Sequence, residues 1–303
     1  MRIIKTILLI AIFFSIVSVC LSREKTEEII ERKVFPEVFI NEDFYGFGAE
    51  TLPWLWTQEN KRRGVNEDDI MLNLERIKDM QMPITRIFVP WETWNPSADY
   101  KTFTWESDEK KSLYNMLDLY EYLGTDVIIV TVDWLEDAPW KNVSESSNAV
   151  LRLLEHLIKV KGNTCIKFWP LTNEPEFTYN WLDSMSFEDY VRIHKLIKKG
   201  IERRGLPVKI IASDEVESPK WFAQSLQSLS ETADVFSSHA YFDTEDMDSV
   251  SIFLEDRVNA IKQIGKNTPF FLCEFGFRGH DFGVRHNSLI EDYEYGLLTA
   301  DLA

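Results

Sequence analysis

Seven short apolar runs alternate with helical stretches along most of this chain, and that alternation leaves few folds open. The runs are Phe44–Ala49, Ile84–Val89, Val127–Val132, Ile166–Leu171, Val208–Ala212, Val235–Ser238 and Pro269–Cys273. Between them lie Asp68–Met80, Lys110–Leu123, Asn148–Lys161, Phe187–Arg204, Lys220–Ser230 and Ser249–Ile264, all with helical patterning. Phe187–Arg204 shows this best: Ser186 and Asp189 predict a capping box, Tyr190, Ile193, Ile197 and Ile201 form a stripe, and Gly205 ends it.

Near-continuous apolar strands, each followed by a helix, imply a parallel sheet covered by helices. A doubly wound sheet brings a Gly-rich nucleotide turn after its first strand. Here Gly46–Phe47–Gly48–Ala49–Glu50 leads to Pro53–Trp54 with no helix start close behind. The expectation is therefore a (β/α)8 TIM barrel. Only seven strands can be counted, and after the helix-like Asp292–Leu298 the sequence stops at Ala303. The reading is a barrel domain over 44–303 that lacks its eighth βα unit.

Residues 1–22 read as a secretory signal: Arg2 and Lys5 come first, then an uncharged run from Thr6 to Ser22. Cleavage after Ser22 is expected, the alternative being a lipid anchor on Cys20. Residues 23–43 form a lead-in. The formal charge of the whole chain is −17, and the leader holds two of its basic residues and no acid. Such acidity argues against nucleic acid or an anionic membrane as partner and suits a neutral soluble substrate, in a secreted, periplasmic or cell-surface setting. No membrane span is expected. Cys165 and Cys273, on separate strands, read as buried free thiols, and the five histidines show no metal-ligand spacing. No metal or cofactor is implied.

In barrels of this kind chemistry sits at the C-terminal ends of the strands. The fourth run ends Thr172–Asn173–Glu174–Pro175, and the seventh ends Glu274–Phe275–Gly276. A carboxylate where a buried strand meets a loop stands at the rim of a sheet. Two such carboxylates are the minimal apparatus for cleaving a glycosidic bond. Asp214 and Glu215, after the fifth run, read as loop charges, and Gly276–His280 as an ordinary βα loop.

With Asn173–Glu174 and Glu274 at those ends, Arg86 on the second run and His239-x-Tyr241 on the sixth, the chain resembles the retaining (β/α)8 glycoside hydrolases. That clan includes cellulase-like, β-mannanase-like and β-xylosidase-like enzymes. The resemblance covers residues 44 to 300 or so and implies a fold, a chemistry and a carbohydrate substrate. It makes Glu274 the nucleophile, ionised beside Arg86 and Tyr241, and Glu174 the acid/base. Asn173 would bond the sugar 2-hydroxyl, and His239 would support the site. The clan's strand-eight tryptophan has no counterpart in this sequence.

Of ten tryptophans, residues 54, 56, 91, 94, 105, 134, 140 and 181 follow strands one to four. Flat aromatic faces suit sugar rings, so Trp54, Trp91 and Trp134 are candidate platforms, with about half of the set expected to be packing. The expected activity is retaining cleavage of β-glycosidic bonds by double displacement; the alternative is a catalytically silent glycan-binding barrel. Sugar identity and endo or exo action are not encoded in these motifs.

Overall fold

The computed structural model describes residues 44–132, 139–176, 185–242, 248–265 and 267–277. The chain divides into two compact units, Met1–Phe44 and Tyr45–Ala303, and the sheet with its helices lies in the second. The expected leader with Cys20, the lead-in, Trp134 and Trp181 fall outside the described residues.

Seven parallel strands follow one another in sequence order: β1 (Ala49–Glu50), β2 (Ile84–Phe88), β3 (Asp126–Val130), β4 (Ile166–Pro170), β5 (Lys209–Val216), β6 (Val235–Phe242) and β7 (Phe270–Phe277). Their helices are α1 (Gln58–Arg62), α2 (Glu67–Met80), α3 (Asp108–Leu123), α4 (Val143–Glu155), α5 (Phe187–Arg204), α6 (Pro219–Leu229) and α7 (Asp248–Gln263). An all-parallel sheet ordered one to seven is the curled α/β barrel that the alternation predicts, with seven strands among the described residues.

The sheet separates two apolar layers. Val127 and Ile129 of β3 face the helices with Leu113, Leu117, Leu153 and Ile197, while Ile128 and Val130 turn inward beside Ile84, Phe168 and Ile211. That period-two alternation, buried on both faces, is why the strand reads as continuously apolar. Cys165 is buried and Cys273 half-buried; both are free thiols.

Local grammar explains the element ends. Ser186 caps α5 by accepting from the Asp189 N–H at 3.1 Å, but its hydroxyl donates to the Asp189 carboxylate at 3.0 Å. Among the described residues the full reciprocal box is at α2, between Asn66 and Asp69. Gly205 ends α5 at φ 58°. The helix expected from Asn148 starts earlier, because Asn142 accepts from the Glu145 N–H and opens α4 at Val143.

The first strand and the last three differ from expectation in opposite directions. The first strand shrinks to Ala49–Glu50, and Phe44, Tyr45 and Phe47 are exposed. Gly48 permits a close approach just before it: a Cβ there would stand 2.3 Å from the Ile84 carbonyl oxygen. In contrast, β5, β6 and β7 all run past the apolar residues into polar ones. Register shifts between Ser213 and Glu215, and between Ser238 and His239, mark bulges in this region. Bulges re-aim side chains next to active sites, and here they turn Asp214 and Glu274 toward one centre.

Candidate active site

Arg86 stands at the middle of this centre. It projects from β2, is 3 % exposed, and its guanidinium meets four side chains. Nη1 pairs with Glu274 and lies 3.3 Å from Glu50; Nη2 donates to Asn173 Oδ1 and to Asp214 Oδ2, each at 2.8 Å. An arginine in the barrel interior must be neutralised, because an unpaired buried charge costs several kcal/mol. The planar fork lets one side chain serve acids on strands far apart in sequence.

Glu274, at the bulge of β7, receives Arg86 on one oxygen and the Tyr241 hydroxyl on the other at 2.8 Å. Burial pushes the Tyr241 phenol well above its ordinary range, and the charge and hydrogen bond of Glu274 add to this. Tyr241 therefore stays a donor. Glu174 follows β4 at φ 45°, a left-handed conformation rare outside glycine. Its backbone N–H donates to the Asp214 carbonyl at 3.1 Å, which holds the turn. Strained non-glycine residues of this kind gather at functional sites.

His239 joins the two glutamates. Its Nδ1 lies 3.1 Å from Glu174 Oε1 and 3.7 Å from Glu274 Oε1. Its Nε2 is 3.3 Å from Asp214 Oδ1, an ion-pair distance without a well-directed hydrogen bond. Burial disfavours the imidazolium, but the Asp214 charge and the contacts to Asp214 and Glu174 outweigh burial and push His239 up to about 9. One ligand-type atom from each of Glu174, His239 and Glu274 falls within 4.8 Å of the others.

The arrangement thus brings together Glu174, Glu274, Arg86, Asn173, His239 and Tyr241. The tryptophans divide. Trp54 is half-buried and keeps surface to offer, whereas Trp91 is only 2 % exposed. Its ring packs against Trp94 at 4.2 Å and against Trp140 at 5.1 Å. The expectation that Trp91 is a sugar platform is corrected: its faces are taken up by other rings. Trp94 and Trp140 are buried with it.

A second correction concerns Asp214 and Glu215. Both lie inside β5 and are buried, not in a loop. Glu215 takes Arg257 at 3.1 Å and the Ser238 hydroxyl on the helix side. Asp214 faces inward, accepts from Ser237 Oγ at 2.8 Å and binds Arg86. Burial opposes its charge, but Arg86 and His239 hold its carboxyl well below the usual carboxylate range. The rule that singled out Glu174 and Glu274 passes over Asp214, which has no neighbouring proline or glycine.

No protein-family model and no curated protein matches this sequence. Solved structures do match. A glucosidase from Croceicoccus marinus aligns with TM-score 0.60 at 14 % identity, over 80 % of this chain and 54 % of that one. A GH39 β-xylosidase from Caulobacter crescentus gives 0.57 at 13 %, over 86 % and 59 %. An α-L-arabinofuranosidase from Thermotoga maritima, in an arabinose complex, gives 0.52 at 18 %, over 74 % and 52 %. The chain spans somewhat over half the length of these structures. At such identities the likeness establishes the α/β-barrel fold.

Proposed function

We propose that this chain is a glycoside hydrolase that cleaves β-glycosidic bonds with retention of configuration, with Glu274 as nucleophile and Glu174 as acid/base. The observation that carries the reading is the pairing of Glu174 with Glu274. Glu174 follows β4 and Glu274 sits at the bulge within β7, with oxygens inside the 4.8 Å cluster and both close to His239 Nδ1. Retaining enzymes hold their carboxyl groups about 5–5.5 Å apart, whereas inverting ones need about 6.5–9.5 Å to admit a water.

The chemistry follows from the contacts. Glu274, held by Arg86 and Tyr241, attacks the anomeric carbon as a carboxylate while Glu174 as the acid protonates the departing oxygen. The glycosidic C–O bond breaks and a glycosyl ester forms on Glu274. Glu174, now a carboxylate, takes a proton from water; the water oxygen attacks the anomeric carbon and Glu274 leaves. Asn173, oriented by Arg86, is placed to bond the sugar's 2-hydroxyl. Trp54 is the remaining described candidate for a sugar-ring platform. With residues 1–22 as an export leader, the substrate is a glycan met outside the cytoplasm.

The test is hydrolysis of an aryl-glycoside panel that includes β-D-glucoside, β-D-xyloside and α-L-arabinofuranoside, with the product anomer read by NMR. Glu274→Ala is expected to abolish turnover on every member. Glu174→Ala should cost about 10²–10⁴-fold on poor leaving groups, much less on activated aryl glycosides, with azide restoring rate and giving a retained glycosyl azide. An inverted product, or full activity in Glu274→Ala, would refute the reading.

A further inference from the structure

Asp214 is used by nothing in the scheme above, yet it touches more of the site than either glutamate. Its Oδ2 holds Arg86 Nη2 at 2.8 Å, and its Oδ1 holds Ser237 Oγ at 2.8 Å and faces His239 Nε2 at 3.3 Å. Its carbonyl oxygen accepts from the N–H of Glu174. It is 2 % exposed and sits at φ 49° in the β5 bulge. A buried carboxylate in a left-handed conformation is costly on both counts, and here one residue meets both cationic side chains behind the glutamate pair.

We infer that Asp214 is a positioning residue that sets the charge of the site, by holding Arg86 and His239 so that together the three carry one net positive charge. This rests on the glycosidase reading for its consequence in turnover. The positive charge of the frame faces the two glutamates, with Glu50 at its edge 3.3 Å from Arg86 Nη1. In the double-displacement scheme the pair's one negative charge is on Glu274 before attack and the proton on Glu174. In the glycosyl ester Glu274 is neutral and Glu174 carries the charge, as a base toward water. The count is the same in both states, so the frame need not gain or lose a proton as the reaction alternates. His239, near both acids, is the side of the frame that meets the charge in either position.

The titratable groups facing this space are Glu50 from β1, Arg86 from β2, Glu174 after β4, Asp214 from β5, Tyr241 from β6, and Cys273 and Glu274 from β7. The Tyr241 phenol and the Cys273 thiol are both held protonated, chiefly by burial. Asp214 is therefore the anion in contact with His239 that does not itself take part in bond making.

The experiment is a pH titration of ¹⁵N-histidine-labelled protein by NMR, with His239→Gln used to assign the resonance, run on wild type and Asp214→Asn. Asn keeps the size and tolerates the left-handed backbone. In the wild type His239 should be doubly protonated at pH 7. In Asp214→Asn its midpoint should fall by about 1–3 pH units, and kcat should fall with KM little changed. An unchanged midpoint, or a neutral His239 in the wild type, would overturn the inference. Should Asp214→Asn not fold, a neutral His239 in the wild type still overturns the inference. Should no glycoside be cleaved by the wild type, the titration judges Asp214 independently while the proposed activity falls.

Discussion

The segment after β2 and the ends of β5 to β7 hold the residues that stand out in the sequence, and they behave in opposite ways. After β2, Trp91, Trp94 and Trp105 look like a sugar-binding surface, but with Phe103 they pack on one another and on Trp140 and His156. Along β5 to β7, Asp214 and Glu215 look like solvated charges, but both are buried and tied to arginines. An aromatic ring can be satisfied by any apolar or aromatic neighbour, so abundance of rings says little about exposure. A buried charge needs particular partners, so finding one paired says that distant strands converge there.

The largest expected effect tests the charged side. Arg86→Met removes the partner of Asp214 and Glu274 together, leaving Asp214 buried with His239 as its remaining cation. It should cost about 3–5 kcal/mol of stability and lower kcat/KM on the order of 10²–10³-fold, read by denaturant melts and steady-state kinetics. Activity near wild type would mean that the charged network is scaffolding alone.

Trp91→Ala tests the aromatic side. It should lose about 3–5 kcal/mol of stability as the packed rings lose their centre, with KM for a glycoside unchanged in the folded protein. A large rise in KM at unaltered stability would return Trp91 to the sugar site and erase the contrast.

A smaller effect comes from Lys110, fully buried on α3 with no hydrogen-bond partner for Nζ among the described residues. Burial drives it down to about 7, against the opposing charges of Glu109 and Glu92. The unfolded chain therefore binds this proton more tightly. Its burden is full below pH 7 and eases as pH rises toward 10.5. Lys110→Met should raise stability by about 1–3 kcal/mol at pH 7, and by less at pH 10. No gain would show that the ammonium finds compensation.

The smallest is a slope. His239 sits above its ordinary 6.5, so its contribution is complete below that pH and fades as pH climbs through about 9. Lys110 acts in the opposite direction over part of that range and masks the loss. In the Lys110→Met background, stability should decline between pH 6.5 and 9, and adding Asp214→Asn should flatten the decline. A flat profile in Lys110→Met would remove the charged His239 from the comparison.

Much of the architecture is legible along the chain. The strands Ile84–Phe88 and Ile166–Pro170 and the helix Phe187–Arg204 match their apolar patterns almost residue for residue, because periodicity and caps are local. Glu174 and Glu274 are legible for a related reason: each is a carboxylate that breaks an apolar run within two residues of proline or glycine. Asp214 was hidden because Ser213–Asp214–Glu215 is polar, and polar residues past an apolar run normally mean the strand is over. Here the bulge and the paired arginines let β5 continue to Val216.

The sequence by itself determined which segments are strands and helices, their parallel alternation, and the two glutamates that break the fourth and seventh apolar runs. Those features depend on neighbours a few residues away. Only the tertiary structure decided that Arg86 meets Asp214, Asn173 and Glu274, 128, 87 and 188 residues distant. It alone turned Trp91 inward and Asp214 toward His239. Burial and charge pairing are properties of the space that strands enclose, and no single stretch of chain carries them.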